Sequence, residues 1–345
     1  MTPVRVAVDC MAGDHAPAEL VAGALAAQDD GVEPILVGVP EQLLPFLPEG
    51  GGGWSLEPSG QAVAEGEAPA QAFRRRPDAS VFQAVRLVRE GRADAAVSVG
   101  NTGAAVVAAA HVLGMLAAGR PWAGGPVIGF APRTVVLDMG ANVDVRPAQF
   151  LELAAMGTAY ARAMLDVAAP RVALLSIGRE QGKGNRQVKE AYDLLAGSAF
   201  RFVGNVEPYG LLAGDAEVVL CDGFVGNAVL KTSEALSEAI LALALAELSG
   251  RAPEADLARF IRRVREHVQV AERMGGGPLL GVRGVVVVGH GASRVEAVRK
   301  AISTARDAVR GRLVERMEEE LRRLSRTEDR KAESRSSRAG GNARS

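Results

Sequence analysis

A chain of 345 residues with 48% hydrophobic side chains can bury a core sized for two ordinary domains or one large α/β unit. Its formal charge of −1 supplies no global drive toward nucleic acid or an anionic membrane. Aromatics are only 4%, so Val, Leu, Ile and Ala must fill the interior, and two cysteines without a CxxC spacing suit a reduced, cytoplasmic setting.

The chain opens on PVRVAVD, a strand that meets Asp9 before a signal-type apolar segment can develop. Short β-branched runs follow at Val4–Val8, Pro34–Val37, Ala95–Val99, Val135–Leu137, Val172–Ile177, Ala216–Leu220 and Val285–Val288. They lack polar alternation, which marks strands buried on both faces, as in a parallel sheet covered by helices. Helical stretches lie between them at Ala18–Ala27, Ser80–Glu90, Gln149–Leu165, Arg186–Leu195 and Ala228–Leu248. This alternation predicts a doubly wound, three-layer α/β/α fold, with ligands at the carboxyl ends of the strands. The Ala-rich stretch 104–118 is too short to span a bilayer and is interrupted by His111 and Gly114, so it reads as a buried helix.

Two regions depart from the alternation. Residues 228–267 read as a protruding helical hairpin joined near Ser249–Pro253, with Leu236, Ile240, Leu243 and Leu248 on one helix and Arg259, Arg262, Arg263 and Arg265 on the other. A last helix is signalled by a Ser293–Glu296 capping box and by apolar residues recurring from Val295 to Leu321. Residues 1–324 are therefore expected to form a single α/β catalytic unit, with 325–345 a disordered basic tail rich in Ser, Arg and Gly.

The polar chemistry sits at strand ends. Asp9, Gly13 and Asp14 follow the first strand, where Asp14 could bind substrate or merely cap the next helix. Cys10 beside them reads as a small buried hydrophobe rather than a nucleophile. Ser98, Gly100, Asn101, Thr102 and Gly103 form a strand-to-helix turn that suits an anion, or a plain turn with an Asn cap. Asp138, Asn142 and Asp144 repeat the construction with carboxylates. The loop from Gly178 to Asn185 carries Lys183 between Gly182 and Gly184. It is one residue short of a GxxxxGK[ST] phosphate loop and has Gly after the Lys, which argues against a nucleoside triphosphatase. CDGFVGNAVLKT at 221–232 places Asp222, Gly223, Gly226 and Asn227 where a helix begins, so its unpaired N–H groups would face the turn. His290 stands beside Gly291 at another strand end and could act as acid, base or phosphate donor, or be structural. The remaining histidines show no metal spacing, and neither a GxSxG elbow nor a GxGxxG turn occurs.

Taken in order, MAGDHAP, SVGNTGA, DMGANVD, KGN, GNVEP, CDGFVGN and GPLLGVRG followed by HG resemble the bacterial phosphate acyltransferases of phospholipid synthesis, the PlsX family, over about residues 4–310. The resemblance implies an isocitrate-dehydrogenase- and phosphotransacetylase-like fold. It also implies conversion of acyl-[acyl-carrier protein] and inorganic phosphate to acyl phosphate and free carrier protein. A homodimer, loose peripheral membrane contact and a downstream glycerol-3-phosphate acyltransferase are implied partners. The chain departs from the family pattern at Ala12, where a Gly is usual, at Arg179, where an acidic residue is typical, and at 128–135, where a small hairpin looks trimmed, a change that could alter the acyl-chain pocket the resemblance implies.

The residues meet that chemistry without metal, cofactor or covalent intermediate. A thiol with a pKa near ~8.5 leaves as thiolate with little help, and phosphate is already an oxyanion. Lys183 is expected to carry phosphate or transition-state charge and Asn227 to hold the oxyanion or phosphate, as the resemblance also favours. Asn101, Thr102, Asp222 and His290 are expected to position them. Two other readings compete: a metal-dependent decarboxylating dehydrogenase using Asp9, Asp14, Asp138, Asp144 and Asp222, and a non-catalytic scaffold for the carrier protein at the membrane.

Overall fold

A computed structural model describes residues 2–50, 52–64, 66–117, 121–125, 133–268 and 274–341, excluding the side chains of 266–268 and 328–341. Each of the seven β-branched runs forms a strand, and four more strands join them. In chain order they are β1 Val4–Asp9, β2 Val32–Gly38, β3 Ser55–Pro58, β4 Ala95–Ser98, β5 Trp122–Gly125, β6 Val135–Leu137, β7 Val172–Leu175, β8 Phe202–Val206, β9 Val218–Leu220, β10 Gly277–Leu280 and β11 Val285–Val288. The described helices are α1 Ala18–Ala26, α2 Pro40–Leu43, α3 Pro69–Arg75, α4 Ser80–Arg89, α5 Thr102–Ala108, α6 Gln149–Met164, α7 Arg186–Ala196, α8 Pro208–Ala213, α9 Gly223–Leu248, α10 Glu254–Val268, α11 Val295–Arg310 and α12 Leu313–Gly341.

The strands form one sheet in the order β3-β2-β1-β4-β11-β10-β5-β6-β9-β7-β8. The sheet is mixed rather than parallel, because β10 runs antiparallel to β11 and β5, and β5 antiparallel to β6. β11, from the far end of the chain, is inserted between β4 and β10, pairing Val285 with Ala95 and Val288 with Ser98. Alternate residues on β1 and β4 serve two separate cores. Val6, Val8, Ala95 and Val97 pack with α1, α6 and α11, while Ala7 and Ala96 pack with α4 and α5. That division produces the three layers, with helices on both faces. Leu137 and Leu174 are wholly buried; each such side chain contributes roughly 1.5–3 kcal/mol.

Three features differ from the sequence reading. The Ser293–Glu296 capping box does not form: α11 starts at Val295, and its first N–H is taken by the Glu19 carboxylate of α1 at 2.8 Å. The last helix is two, broken at Gly311, whose Cα lies so near the Ala163 carbonyl that a Cβ would sit 2.4 Å from it, and at Arg312 with φ 56°. The backbone of α12 continues past Leu324 to Gly341, through a stretch expected to be tail. Glu318 and Glu320 reach Arg322 and Arg323 across one turn, so charge pairing supports the helix where the apolar repeat stops.

The hairpin appears where its pattern placed it. α9 and α10 are joined by residues 249–253, and α9 buries Ser237 and Leu241 while leaving Leu236, Ile240 and Leu243 exposed on the single chain.

Candidate active site

Because β6, β9 and β7 are parallel neighbours, the loops leaving their carboxyl ends lie side by side. Asp138, wholly buried at the end of β6, organises the first. Its carboxylate accepts the backbone N–H groups of Ala123, Gly140, Ala141 and Asn142 at 3.3, 3.1, 3.1 and 2.7 Å, and the Asn142 side-chain amide at 3.1 Å. Burial pushes this carboxyl upward from the usual carboxylate range, against the N–H bonds from Ala141 and Asn142. Every partner is a donor, so the loop is shaped around the ionised form. Asn142 also donates to the Pro121 carbonyl, and therefore braces the loop instead of facing a ligand.

α9 presses its first turn onto this loop, and two glycines permit the approach. The Gly223 N–H bonds to Asn142 O at 2.9 Å, and a Cβ there would meet that oxygen at 2.5 Å. At Gly226 a Cβ would lie 1.9 Å from the Asp138 carbonyl. The sequence reading of open N–H groups at this helix start needs correction. Gly223, Val225 and Gly226 give theirs to Asn142 O, the Asp222 side chain and Asp222 O. Asp222 is a helix cap, and the exposed Asn227 amide, flanking Gly140, is the polar group this turn presents.

Lys183 is exposed on the loop after β7, and no ion pair or side-chain hydrogen bond holds it among the described residues. Its backbone N–H closes a turn on Glu180 O at 3.0 Å, and Gly184 packs its backbone on Val188 and Ser176. Asn185 caps α7 through Val188 N–H at 2.9 Å. Asn185 and Asp222 line one groove with Asp144, Arg146 and Gln187, so the Lys183 loop and the start of α9 flank a common opening. Two buried groups under this loop escaped the sequence reading. Asn205 donates to Glu180 O at 2.9 Å, and among the described residues its Oδ1 and the Ser176 Oγ have no hydrogen-bond partner. The only signal for Asn205 was its place in GNVEP.

The ends of β1, β4 and β11 gather the second group. Asp9 is fully buried and accepts from Ser98 Oγ at 2.8 Å; burial pushes its carboxyl up, with the Ser80 and Ser98 hydroxyls opposing. It is an internal brace, out of reach of a substrate. Gly13 lies against Gly291, whose carbonyl accepts the Asp14 N–H at 2.9 Å, and Asp14 does not cap α1. Asn101 caps α5 through Ala104 N–H at 3.0 Å and donates to Ala64 O, while Gly103 packs on Pro69. Ala12 fits because position 100 is Gly: a Cβ on Gly100 would lie 2.5 Å from the Ala12 Cβ. Cys10 is fully buried, and burial raises its thiol pKa, as the hydrophobe reading expected. His111 stacks on Phe73, and Arg179 pairs with Asp215 at 2.6 Å.

A pocket of about 180 Å³ lies over β5 and β10 between the two groups. Thr102 and His290 line it from one side, Met139 and Leu230 from the other. Met139 adjoins Gly140, and Leu230 lies one turn beyond Asn227 on the same helix, so Asn227 is next to the residues that line this side of the pocket. Among the described residues, no three His, Cys, Asp or Glu side chains are grouped to hold a metal ion. No described helix is long and apolar enough to cross a membrane.

This architecture is that of the phosphotransacetylases. The phosphotransacetylase of Streptococcus pyogenes matches it with a TM-score of 0.57 at 18% identity, over 88% of this chain and 94% of that one. A 4-hydroxythreonine-4-phosphate dehydrogenase from Klebsiella pneumoniae shares the fold with a TM-score of 0.54 at 13% identity, over 89% of this chain and 100% of its own. Residues 4–316 match the family model described as fatty acid synthesis protein. The sequence is 42% identical over 328 residues to the phosphate acyltransferase of Nostoc punctiforme, spanning 92% of this chain and 96% of that protein. It is 43% identical over 323 residues to the phosphate acyltransferase of Desulforudis audaxviator, spanning 90% and 94%. The chain belongs to this family of acyltransferase enzymes, the PlsX family.

Proposed function

We propose that this protein transfers the acyl group of acyl-[acyl-carrier protein] to inorganic phosphate. A phosphate oxygen attacks the thioester carbonyl, forming the new C–O bond. Collapse of the tetrahedral adduct breaks the C–S bond, and the sulfur leaves with the electron pair and takes a proton from water. With a thiol pKa near ~8.5 that departure needs little acid catalysis. The reaction then requires positioning and charge stabilisation, which fixed polar groups supply without reorganising.

The observation that carries the reading is the seat of Asn227. Gly223 and Gly226 let α9 rest on the Asp138-braced loop, which sets the Asn227 amide beside Gly140, next to the Met139 and Leu230 side of the pocket. In this reading Asn227 donates to the developing oxyanion, and Lys183 meets the charge of phosphate from the adjoining loop. Thr102 and His290 approach from the opposite wall. Asn101, Asn185 and Asp222 act by fixing the starts of their helices. Residues 1–324 work as one catalytic unit.

The exposed stripe of Leu236, Ile240 and Leu243 supports a homodimer, since pairing with a second copy would remove it from water. The arginines of α10 suit an anionic lipid surface or an acidic carrier. Acyl phosphate is amphiphilic, so release at a lipid surface, to a downstream glycerol-3-phosphate acyltransferase, fits its chemistry.

A ³¹P spectrum of enzyme, acyl-carrier thioester, phosphate and EDTA tests the reading. An acyl phosphate resonance growing as free carrier appears is the expected result. Product only with added Mg²⁺, or carrier binding without turnover, would refute it in favour of the carboxylate or scaffold readings.

A further inference from the structure

The two strands under the pocket contain three glycines, with Gly276 just before the second strand, and packing accounts for only some of the four. Gly124 has no room for a side chain, since a Cβ would meet the Leu137 methyl at 2.3 Å. Gly276, just before β10, is equally confined, with the Val288 carbonyl at 2.5 Å. Gly125 and Gly277 differ. A Cβ on Gly125 would meet only Met139 Cε at 3.6 Å, and one on Gly277 only Gly124 O at 3.4 Å, among the described residues. Both are ordinary contacts, and neither glycine has a positive φ. Glycine within a strand weakens it and commonly marks a place where a ligand comes close. Here the missing side chains leave open the floor of the pocket that Met139, Leu230, Met274 and Pro278 wall in.

Building on the acyl-transfer reading, we propose that this pocket receives the carbonyl-proximal part of the acyl chain, and that Gly125 and Gly277 set how much of it is buried. Most of the lining is apolar; Thr102 and His290 are the polar side chains on one side, and Asn227 lies one helical turn from Leu230 on the other. That arrangement suits a ligand with a reacting carbonyl at one end and hydrocarbon at the other. If a methylene takes up about as much room as the ~30 Å³ share of one water, the 180 Å³ volume holds roughly six methylenes. Longer chains must extend beyond it.

The test is a chain-length series. Acyl phosphate formation is measured with acyl-carrier thioesters from butyryl to palmitoyl for the wild type, Gly125→Val, Gly277→Ala and Met139→Ala. In the wild type, kcat/KM should rise about fourfold per methylene, the equivalent of ~0.8 kcal/mol, and level off near six to eight carbons. Gly125→Val adds three carbons to the floor. It should stop the rise roughly three carbons sooner, losing on the order of fiftyfold against long chains and little against butyryl. Gly277→Ala should shorten the rise by about one carbon, and Met139→Ala, which enlarges the pocket, should lengthen it. If Gly125→Val fails to fold by circular dichroism, the opposite displacements of the other two variants decide the matter. A flat wild-type series, or variants that lower every chain length equally, would overturn the pocket assignment while leaving acyl transfer in place. A wild type that makes no acyl phosphate from any thioester overturns the acyl-transfer reading and the pocket together.

Discussion

Replacing Gly226 by Ala tests whether the seat of α9 governs catalysis. The new methyl would lie 1.9 Å from the Asp138 carbonyl, about 1.5 Å inside the 3.4 Å at which ordinary contact begins, and 3.1 Å from Cys221 Sγ. Neither obstacle can turn aside: the carbonyl is backbone, and its residue is anchored by five N–H bonds to its own carboxylate. The first turn of α9 must therefore lift away by an ångström or more, taking Asn227 with it. Overpacking of this kind costs typically ~1–3 kcal/mol, a shift in the denaturation midpoint that leaves the protein folded. A displacement near 1 Å at a reacting centre costs about 10²-fold in rate. The expected outcome is thus a loss of about a hundredfold in kcat for acyl phosphate formation, with circular dichroism unchanged and stability only modestly reduced. Full turnover in a destabilised variant would refute the link between this seat and the chemistry. Cys221→Ala, which relieves only the softer obstacle, should not restore activity.

Lys183→Ala should lower turnover by about 10²–10³-fold with the fold intact, the range for removing one preorganised charge, and near-normal activity would take Lys183 out of the mechanism. Asn227→Ala should match it in the same assay, because the side chain is exposed and does not cap the helix. Burial raises the Glu217 carboxyl, but the Arg171 guanidinium and N–H outweigh it and hold the group below its usual range. A depressed folded-state pKa contributes stability above the unfolded value near ~4.3 that disappears as pH falls through the folded value. Arg171→Ala should therefore cost about 1 kcal/mol at neutral pH and progressively less below pH ~4, and a penalty independent of pH would count against the pair. Arg262→Glu/Arg263→Glu should weaken liposome flotation or raise KM for the carrier, leaving the sedimentation of the protein unchanged.

The strands that the sequence revealed are those built of β-branched residues buried on both faces. β3 and β8 escaped because they are the two sheet edges, half exposed and carrying Pro58 and Gly204. β5 and β10 escaped because three of their eight residues are glycines, so they carry little hydrophobic signal. Those are also the antiparallel strands, and the all-parallel expectation failed with them. At the site, the motifs correctly marked the strand ends. Their residue types could not separate a helix cap from a ligand group, because both tasks use Asn and Asp oxygens beside N–H donors. Asn101, Asn185 and Asp222 proved to be caps, whereas Asn227, one turn into α9, did not. The cap on α11 was illegible for another reason. Its acceptor, Glu19, lies 276 residues away, beyond the reach of any local pattern.

β11 occupies the place between β4 and β10, so the order of synthesis differs from the order of assembly. When the ribosome has released β1 to β4 with α1 and α4, the edge of β4 that will pair with Val285–Val288 is still bare. The Glu19 and Asp30 carboxylates that will engage Val295 and Arg299 have no partners there either. The first third of the chain therefore waits for the last, holding an apolar strand edge open through nearly two hundred residues of elongation. Contacts so distant in sequence make for slow closure, and an unpaired edge invites association with other chains. Truncation before Val285 leaves that edge bare permanently, so a product lacking only β11 and the last two helices is a species for chaperones to hold or proteases to clear.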